Sequence, residues 1–314
     1  MPPTIVIICG PTATGKTKLG VALAKILDGE VVSADSMQIY RSMTIGTARP
    51  SEEEMEGVPH HMMAVADPTE AYSVARYVAE AVPVVDDILA RGRVPLIVGG
   101  TGLYIDALRR GQVFSAFRPD SGIRADLQAR AGRGELPRLY EELRGIDPEA
   151  ADRLHPNDEK RILRALEVWY ETGETISAHD RRTRGLPPRY DAAVLALNFR
   201  DRAALYTRID ERVDRMMVRG LPGEVQALLD QGVSPDCTAM QAIGYKELVP
   251  ALLAGGDLNA AAEEIKLRSR QYAKRQLTWF RRDRSAHWLM LDDPPDLSAA
   301  IRDAEEYLRG QGIR

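Results

Sequence analysis

The sequence predicts an α/β protein: a parallel sheet with a glycine-rich loop after its first strand, interrupted by a mostly helical insertion domain. Three observations carry this expectation. Residues 4–9 (TIVIIC) form a β-branched run, followed at once by a glycine-rich turn and by KLGVALAKIL, whose apolar residues recur at helical spacing. Apolar runs at 30–35 (EVVSAD) and 94–100 (VPLIVGG) flank a helical stretch near 73–91, and strands alternating with helices make a parallel sheet. From 115 to 190 the text turns charge-rich and helical, broken at Pro119, Pro137, Pro148, Pro156 and Pro187-Pro188, with no convincing strand.

A buried-strand signal returns at 192–199 (AAVLALNF). Helices are expected near 201–219, 223–231 and 258–282, then a strand at 287–292 (HWLMLD) and a last helix at 297–309. The expected organisation is a core of 1–114 and 191–314 around a helical insertion domain of 115–190.

The 314 residues are 44% hydrophobic and 28% charged, which excludes general disorder. With 42 Lys+Arg against 46 Asp+Glu, the formal charge is -4, so no global positive field draws the chain to nucleic acid or anionic membrane. Only Cys9 and Cys237 occur, too few for a disulfide framework or a zinc site of several thiolates. The start lacks the basic and apolar regions of a signal peptide, and no run approaches the ~20 apolar residues of a spanning helix. A reduced, cytoplasmic setting is expected, with no membrane. No heptad or self-complementary apolar face appears, which favours a monomer.

Gly10-Pro11-Thr12-Ala13-Thr14-Gly15-Lys16-Thr17 matches G-x-x-x-x-G-K-[ST] between a strand and a helix, making the core P-loop NTPase-like. Backbone amides and the helix N-terminus would hold a phosphate chain, Lys16 would reach terminal phosphoryl oxygens, and the Thr17 hydroxyl would ligate Mg²⁺. A glycine-rich turn without ligand is the alternative. A P-loop NTPase usually has a strand ending in an Mg²⁺-holding Asp, but the strand at 94–98 ends in Gly99-Gly100-Thr101-Gly102. That weakens hydrolysis or phosphoryl transfer and leaves phosphate as a possible leaving group.

Asp35, in Asp35-Ser36-Met37-Gln38, closes the second strand. In a parallel sheet the C-terminal strand ends converge on the ligand crevice, so Asp35 and Thr101 should both face it. An acid there can accept a proton from a nucleophile, or it can be a helix cap or an outer Mg²⁺ contact. His60-His61 are adjacent, so on an extended chain they point to opposite sides; a structural or ligand-lining role is preferred to a metal pair. Met and aromatic residues at 216–217, 240, 279–280 and 288–290 read as core. Between 263 and 287, Lys266, Arg268, Arg270, Lys274, Arg275, Arg281, Arg282 and Arg284 outweigh Glu263, Glu264 and Asp283, with Tyr272, Trp279 and Phe280 interleaved. Such a stripe can follow a nucleic-acid backbone, or be a solvated helix face.

GPTATGKT (10–17), DSMQIYRSMTIGTARPS (35–51), PHHM (59–62), GGTGLY (99–104), IDPEAADRLHPNDEKRILRALEVWYETG (146–173), AIGYKE (242–247) and YAKRQLTWFR (272–281) run along nearly the whole chain. Together they resemble the tRNA dimethylallyltransferases, also called tRNA isopentenyltransferases. The resemblance implies transfer of the isopentenyl group of dimethylallyl diphosphate to the exocyclic N6 of the adenosine immediately 3′ of the anticodon, with release of diphosphate. It gives the P-loop and Mg²⁺ the diphosphate, makes Asp35 the acceptor of the N6 proton, and has Thr101 fix the adenine or Asp35. Arg208 and Arg212, one turn apart on an expected helix, are further diphosphate candidates. Contacts to the tRNA anticodon stem-loop would come from Asp35, Ser36, Met37, Gln38, Thr101, Arg124, Glu159, Lys160, Arg161, Ile162 and Leu163, with Arg275 from the basic stripe. No Cys/His array follows, so a bacterial-type enzyme without zinc is expected. Thr14 and Thr17 replace two serines common in the family and keep both hydroxyls. The rivals are a sister isopentenyltransferase acting on free adenine nucleotides, a P-loop small-molecule kinase, and a non-enzymatic RNA-binding protein.

Overall fold

Strand β1 (Thr4–Cys9) lies inside a six-stranded, all-parallel sheet, and its side chains from Ile5 onward are no more than 1% exposed. Covered on both faces, it needs no polar alternation, which is why the sequence shows a continuous aliphatic run. Each such side chain contributes about 1.5–3 kcal/mol by burial. The sheet order is β3-β2-β4-β1-β5-β6, with β2 at Gly29–Ser33, β3 at His60–His61, β4 at Val94–Val98, β5 at Asp191–Phe199 and β6 at His287–Leu291. Val6 stands opposite Leu96 on one side and opposite Ala193 on the other, so β1 joins early and late parts of the chain.

The computed structural model describes residues 2–112 and 122–313. The chain divides into two compact units, Met1–Gly111 with Arg189–Arg314, and Gln112–Pro188. The boundary expected at 114/115 and the break expected at Pro119 lie outside the described residues.

In the first unit, α1 (Lys16–Ile26), α10 (Arg202–Val218) and α14 (Leu297–Gly310) share a core with the sheet through Leu19, Leu23, Leu205, Ile209 and Leu308. Helix α3 (Val74–Ala90) lies against α4 (Gly102–Arg110), where Tyr77 stacks on Tyr104 at 4.3 Å and its hydroxyl donates to Ser33 O at 3.0 Å. Helices α11 (Leu221–Asp230), α12 (Tyr245–Ala254) and α13 (Leu258–Phe280) complete this unit, with a single turn, α2, at Glu52–Met55.

The second unit holds α5 (Ile123–Gly132), α6 (Leu136–Ile146), α7 (Pro148–Arg153), α8 (Glu159–Thr172) and α9 (Ile176–Arg184) around its own core of Leu127, Leu139, Leu143, Ile162 and Leu166. Asp147 caps α7 by accepting from Ala150 N at 3.0 Å, and its other oxygen accepts from Ser177 N at 3.0 Å, tying α7 to α9. Among the described residues no helix is long and apolar enough to cross a membrane.

The structure departs from the sequence expectation in three places. Strand β2 ends at Ser33 rather than at residue 35, because Asp35 turns the chain by accepting amide bonds on its own side chain. Helices α4 and α12 were hidden by the glycines at their starts and, in α12, by Pro250. The two-residue β3 carries too few residues to show an alternating pattern.

Glu30 in β2 is 2% exposed and binds Arg91 (2.9 Å to Oε2), Arg93 (2.9 Å) and His61 (2.7 Å). Hydrogen bonds from Arg91, then His61 and Arg93, hold its carboxyl well below the usual range against the opposing effect of burial. A carboxyl of depressed pKa stabilises the fold above its unfolded value, and that contribution disappears as pH falls through the folded value. Glu30→Gln should therefore cost about 1–3 kcal/mol at pH 7, since it weakens the charge-assisted bonds from Arg91, Arg93 and His61 while the two half-exposed guanidinium groups keep Asp87 and Asp28. Denaturant titrations from pH 7 to pH ~2 should show the variant's deficit shrinking below the ordinary carboxylate range.

Candidate active site

A cavity of about 410 Å³ opens at the carboxyl edge of the sheet in the first unit. One wall is the loop between β1 and α1. Gly10 sits at φ +139°, where an added Cβ would stand 2.4 Å from Leu197 O of β5, so only glycine lets the loop leave the strand at this point. Thr12, Ala13, Gly15, Lys16 and Thr17 line the cavity. Thr14 works from behind: it is 2% exposed and donates to Pro11 O at 2.9 Å, and the same carbonyl accepts from Lys16 Nζ at 2.7 Å. Helix α1 begins without a side-chain cap and without an acid in its first turn, unlike α8 and α13, which are capped by Asp158 and Asp257. Its amides are left for an external anion.

The cavity is electropositive. Lys16, Arg212, Lys246 and Arg275 line it, against a single carboxylate, Asp35. Burial, aided by repulsion from Arg212, pulls the Lys16 ammonium down to about 8. Burial also lowers Arg212, with Asp35 opposing. Uncompensated cations in a desolvated site are the complement of a polyanion. Opposite in character are Val98, Ile209, Val213, Met216 and Ile265, which give the cavity an apolar surface. Met216, expected only in the core, is a wall residue as well.

Asp35 follows β2 in a turn of its own making. Oδ1 accepts from Met37 N at 2.9 Å and from Gln38 N at 3.4 Å, whereas Oδ2 has no hydrogen bond among the described residues. Thr101, expected to face the ligand, instead stands behind this turn: its Oγ1 accepts from Ser36 N at 3.0 Å and its own N donates to Ala34 O at 3.1 Å. The same hydroxyl donates to Ser36 Oγ at 3.3 Å. Tyr272 completes the group; burial and the nearby Asp35 charge push its hydroxyl up to about 12, with a hydrogen bond to Thr101 opposing them. Ser36, Met37 and Gln38 line the cavity, but the Gln38 amide is engaged internally, donating to Thr47 O and Ala48 O at 3.3 Å.

Three expected contacts are corrected. Arg208 does not accompany Arg212 in the cavity; Asp293 holds its guanidinium at 2.6 Å, over the Phe199 ring. Ile162 and Leu163, at 0% and 8% exposure, belong to the core of the second unit, because α8 turns them inward; Glu159, Lys160 and Arg161 on the same helix are exposed, as is Arg124. The basic stripe is partly neutralised: Asp214 takes Lys266 at 2.7 Å, Glu264 takes Arg268 at 2.6 Å and Asp210 takes Arg270 at 2.6 Å. Arg275 stays at the cavity, over the Tyr272 ring. The histidines diverge as an extended chain requires, His60 lining the cavity and donating to Val58 O at 2.8 Å while His61 turns to Glu30.

Two supporting residues went unnoticed in the sequence. Glu224 of α11 accepts from Thr44 N at 2.8 Å, Thr44 Oγ1 at 2.6 Å, Ile45 N at 2.8 Å, Gly46 N at 3.1 Å and Tyr245 Oη at 2.5 Å. It fixes the loop whose Gly46, Thr47 and Ala48 form another wall of the cavity. Burial raises its carboxyl, but these donors outweigh burial and leave it below the usual range. Gln276 of α13 joins the loop after β1 to the loop after β4. Neither residue carries a spacing that a sequence pattern could reveal.

A family model described as IPP transferase matches residues 38–283, and one described as isopentenyl transferase matches residues 3–64. A tRNA dimethylallyltransferase of Geobacillus thermodenitrificans is 46% identical over 308 residues, covering 98% of this chain and 96% of the relative. One of Desulforudis audaxviator is 48% identical over 294 residues, covering 93% and 94%. The crystal structure of the full-length tRNA isopentenylpyrophosphate transferase of Bacillus halodurans superposes with TM-score 0.74 at 41% identity, covering 99% of this chain and 96% of that one. A eukaryotic dimethylallyltransferase solved acting on tRNA superposes with TM-score 0.78 at 32% identity over 94% of this chain and 75% of its own. With its P-loop, its parallel sheet and this identity along nearly all its length, the chain belongs to the tRNA dimethylallyltransferase family.

Proposed function

We propose that the protein transfers the dimethylallyl group of dimethylallyl diphosphate to N6 of the adenosine immediately 3′ of the anticodon in tRNA, releasing diphosphate. The observation that carries this reading is a single cavity that combines P-loop amides and buried cations, an apolar wall and one carboxylate. A diphosphate ester of a five-carbon allylic alcohol needs the first two, and an amine nucleophile needs the third. The relatives' names point to the same reaction.

In the proposed reaction, the α1 N-terminus, Lys16 and Arg212 bind the diphosphate and take up charge as the bond between C1 and oxygen breaks. The N6 lone pair forms the new bond to C1, and the N6 proton passes to Asp35 Oδ2 during or after attack, because a neutral amino group is too weak an acid to ionise first. Thr101 and Tyr272 hold the turn on which Asp35 stands. Reaching an adenine stacked in the anticodon loop requires its extrusion, which costs a few kcal/mol and is offset by contacts in the pocket. Arg275 at the cavity, and Arg124, Glu159, Lys160 and Arg161 on the second unit, are the side chains assigned to the RNA.

Among the described residues no group of three or more His, Cys, Asp or Glu could hold a metal by itself. The cavity offers the Thr17 hydroxyl, a hard oxygen donor that suits Mg²⁺ when phosphate oxygens and water fill its other positions. Bound there, Mg²⁺ would neutralise charge on the leaving diphosphate.

Purified protein with Mg²⁺ and radiolabelled dimethylallyl diphosphate should label an anticodon stem-loop carrying adenosine at this position. It should not label the same loop with guanosine there, or free AMP. Label in AMP would move the protein to the free-nucleotide branch, and no label in any acceptor would sink the reading. Asp35→Asn should lower kcat by about 10²–10⁴-fold with donor affinity retained; near-normal turnover would remove Asp35 as the base. Because the Lys16 ammonium in the free protein loses its proton near pH 8, kcat/KM for the donor should fall as pH rises through that value. Arg275→Glu should weaken stem-loop binding and lower its salt slope by about 1; an unchanged slope in filter-binding titrations would leave Arg275 without an RNA contact.

A further inference from the structure

Gln276 is 6% exposed on α13, and its amide faces two loops at once. Nε2 donates to Gly100 O at 2.8 Å and Oε1 accepts from Thr12 N at 3.0 Å. One partner takes a proton and the other supplies one, so no carboxylate or apolar side chain could satisfy both. Thr12 belongs to the phosphate-binding loop. Gly100 precedes Thr101, whose hydroxyl holds the Ser36 amide beside Asp35. The sheet does not make this connection itself. The last backbone bond from β1 toward β4 among the described residues is Gly99 N to Ile8 O at 3.1 Å, and beyond it the two loops are joined through Gln276. The space is reserved for the amide: a Cβ on Gly100 would stand 2.2 Å from Gln276 Nε2.

We infer that Gln276 is a positioning residue for the transfer, setting the distance between the loop that holds the diphosphate and the turn that carries Asp35. The inference rests on the prenyl-transfer reading above. In-line attack with proton removal requires C1, N6 and the carboxylate to be placed together, and a misplacement of ~1 Å can cost about 100-fold in rate. Gln276 borders the cavity, but both polar atoms of its amide are committed to Gly100 and Thr12. It acts through Thr12 on one side and through Gly100 and Thr101 on the other.

The test uses the full chain with Mg²⁺ and compares Gln276→Glu and Gln276→Met with wild type. The first keeps an acceptor for Thr12 but, when ionised, cannot donate to Gly100; the second keeps the length and neither bond. With folding checked by circular dichroism, kcat for stem-loop prenylation should fall about 10–100-fold. KM for donor and for RNA should each stay within about threefold, because the groups assigned to binding remain. The inference is overturned if kcat in either folded variant stays within about twofold of wild type, if the loss appears in KM alone, or if both variants fail to fold, which would make the amide a stability element only. A wild-type chain that transfers nothing in the same assay would overturn the reading beneath it, and the inference with it.

Discussion

At the carboxyl edge of the sheet, backbone meets backbone more closely than any side chain would allow. A Cβ on Gly10 would meet the Leu197 carbonyl at 2.4 Å, and one on Gly99 would meet the Ala34 carbonyl at 2.2 Å. This proximity fixes what can happen there. It brings the ends of β1, β2 and β4 under one cavity, so that amides, a lysine and a carboxylate from segments far apart in sequence face the same volume. It also sets Thr101 beside the turn of Asp35, where its hydroxyl accepts from the Ser36 amide, the second of the two roles expected for it.

Charge is distributed by a simple division of labour. Away from the cavity, carboxylates are committed to internal partners: Glu30 to two arginines and a histidine, Glu224 to the amides of the loop at 44–46, and Asp210, Asp214 and Glu264 to cations of α13. At the cavity the balance reverses, since Lys16 and Arg212 are desolvated around the one lining carboxylate, Asp35. An anion bound there would offset the cost of burying those cations.

The sequence was most legible where one element serves one purpose. The run TIVIIC has to be a buried strand, and a glycine-rich turn followed by Lys16-Thr17 has to open a helix, so β1, the P-loop and α1 could be read directly. Most of the remaining strands and long helices follow from periodicity to within a few residues. What sequence could not show was pairing across long separations. Nothing local distinguishes Arg208, spent on Asp293, from Arg212 one turn later at the cavity; the difference arises only when β6 and its following loop arrive. The same holds for Ile162 and Leu163, whose motif points to RNA but whose place on α8 is set by the packing of α5 and α6. Gln276 was visible as a letter in YAKRQLTWFR, yet its role depends on two loops that approach it from elsewhere.

The insertion of one folded unit within another bears on the order in which the molecule can assemble during synthesis. Thr4 of β1 pairs with Asp191 of β5, so the sheet cannot be completed on that side until the ribosome has made everything between them. The helices of the intervening unit close a core from neighbouring residues alone, and such local contacts form early. Once that unit is compact, the gap β1 must bridge is no longer a long flexible chain but a short span between adjacent ends, and the entropy of closing it falls accordingly. An emerging chain with only β1 to β4 in place exposes one flank of β1, an unpaired edge in the sense that matters for nascent-chain aggregation.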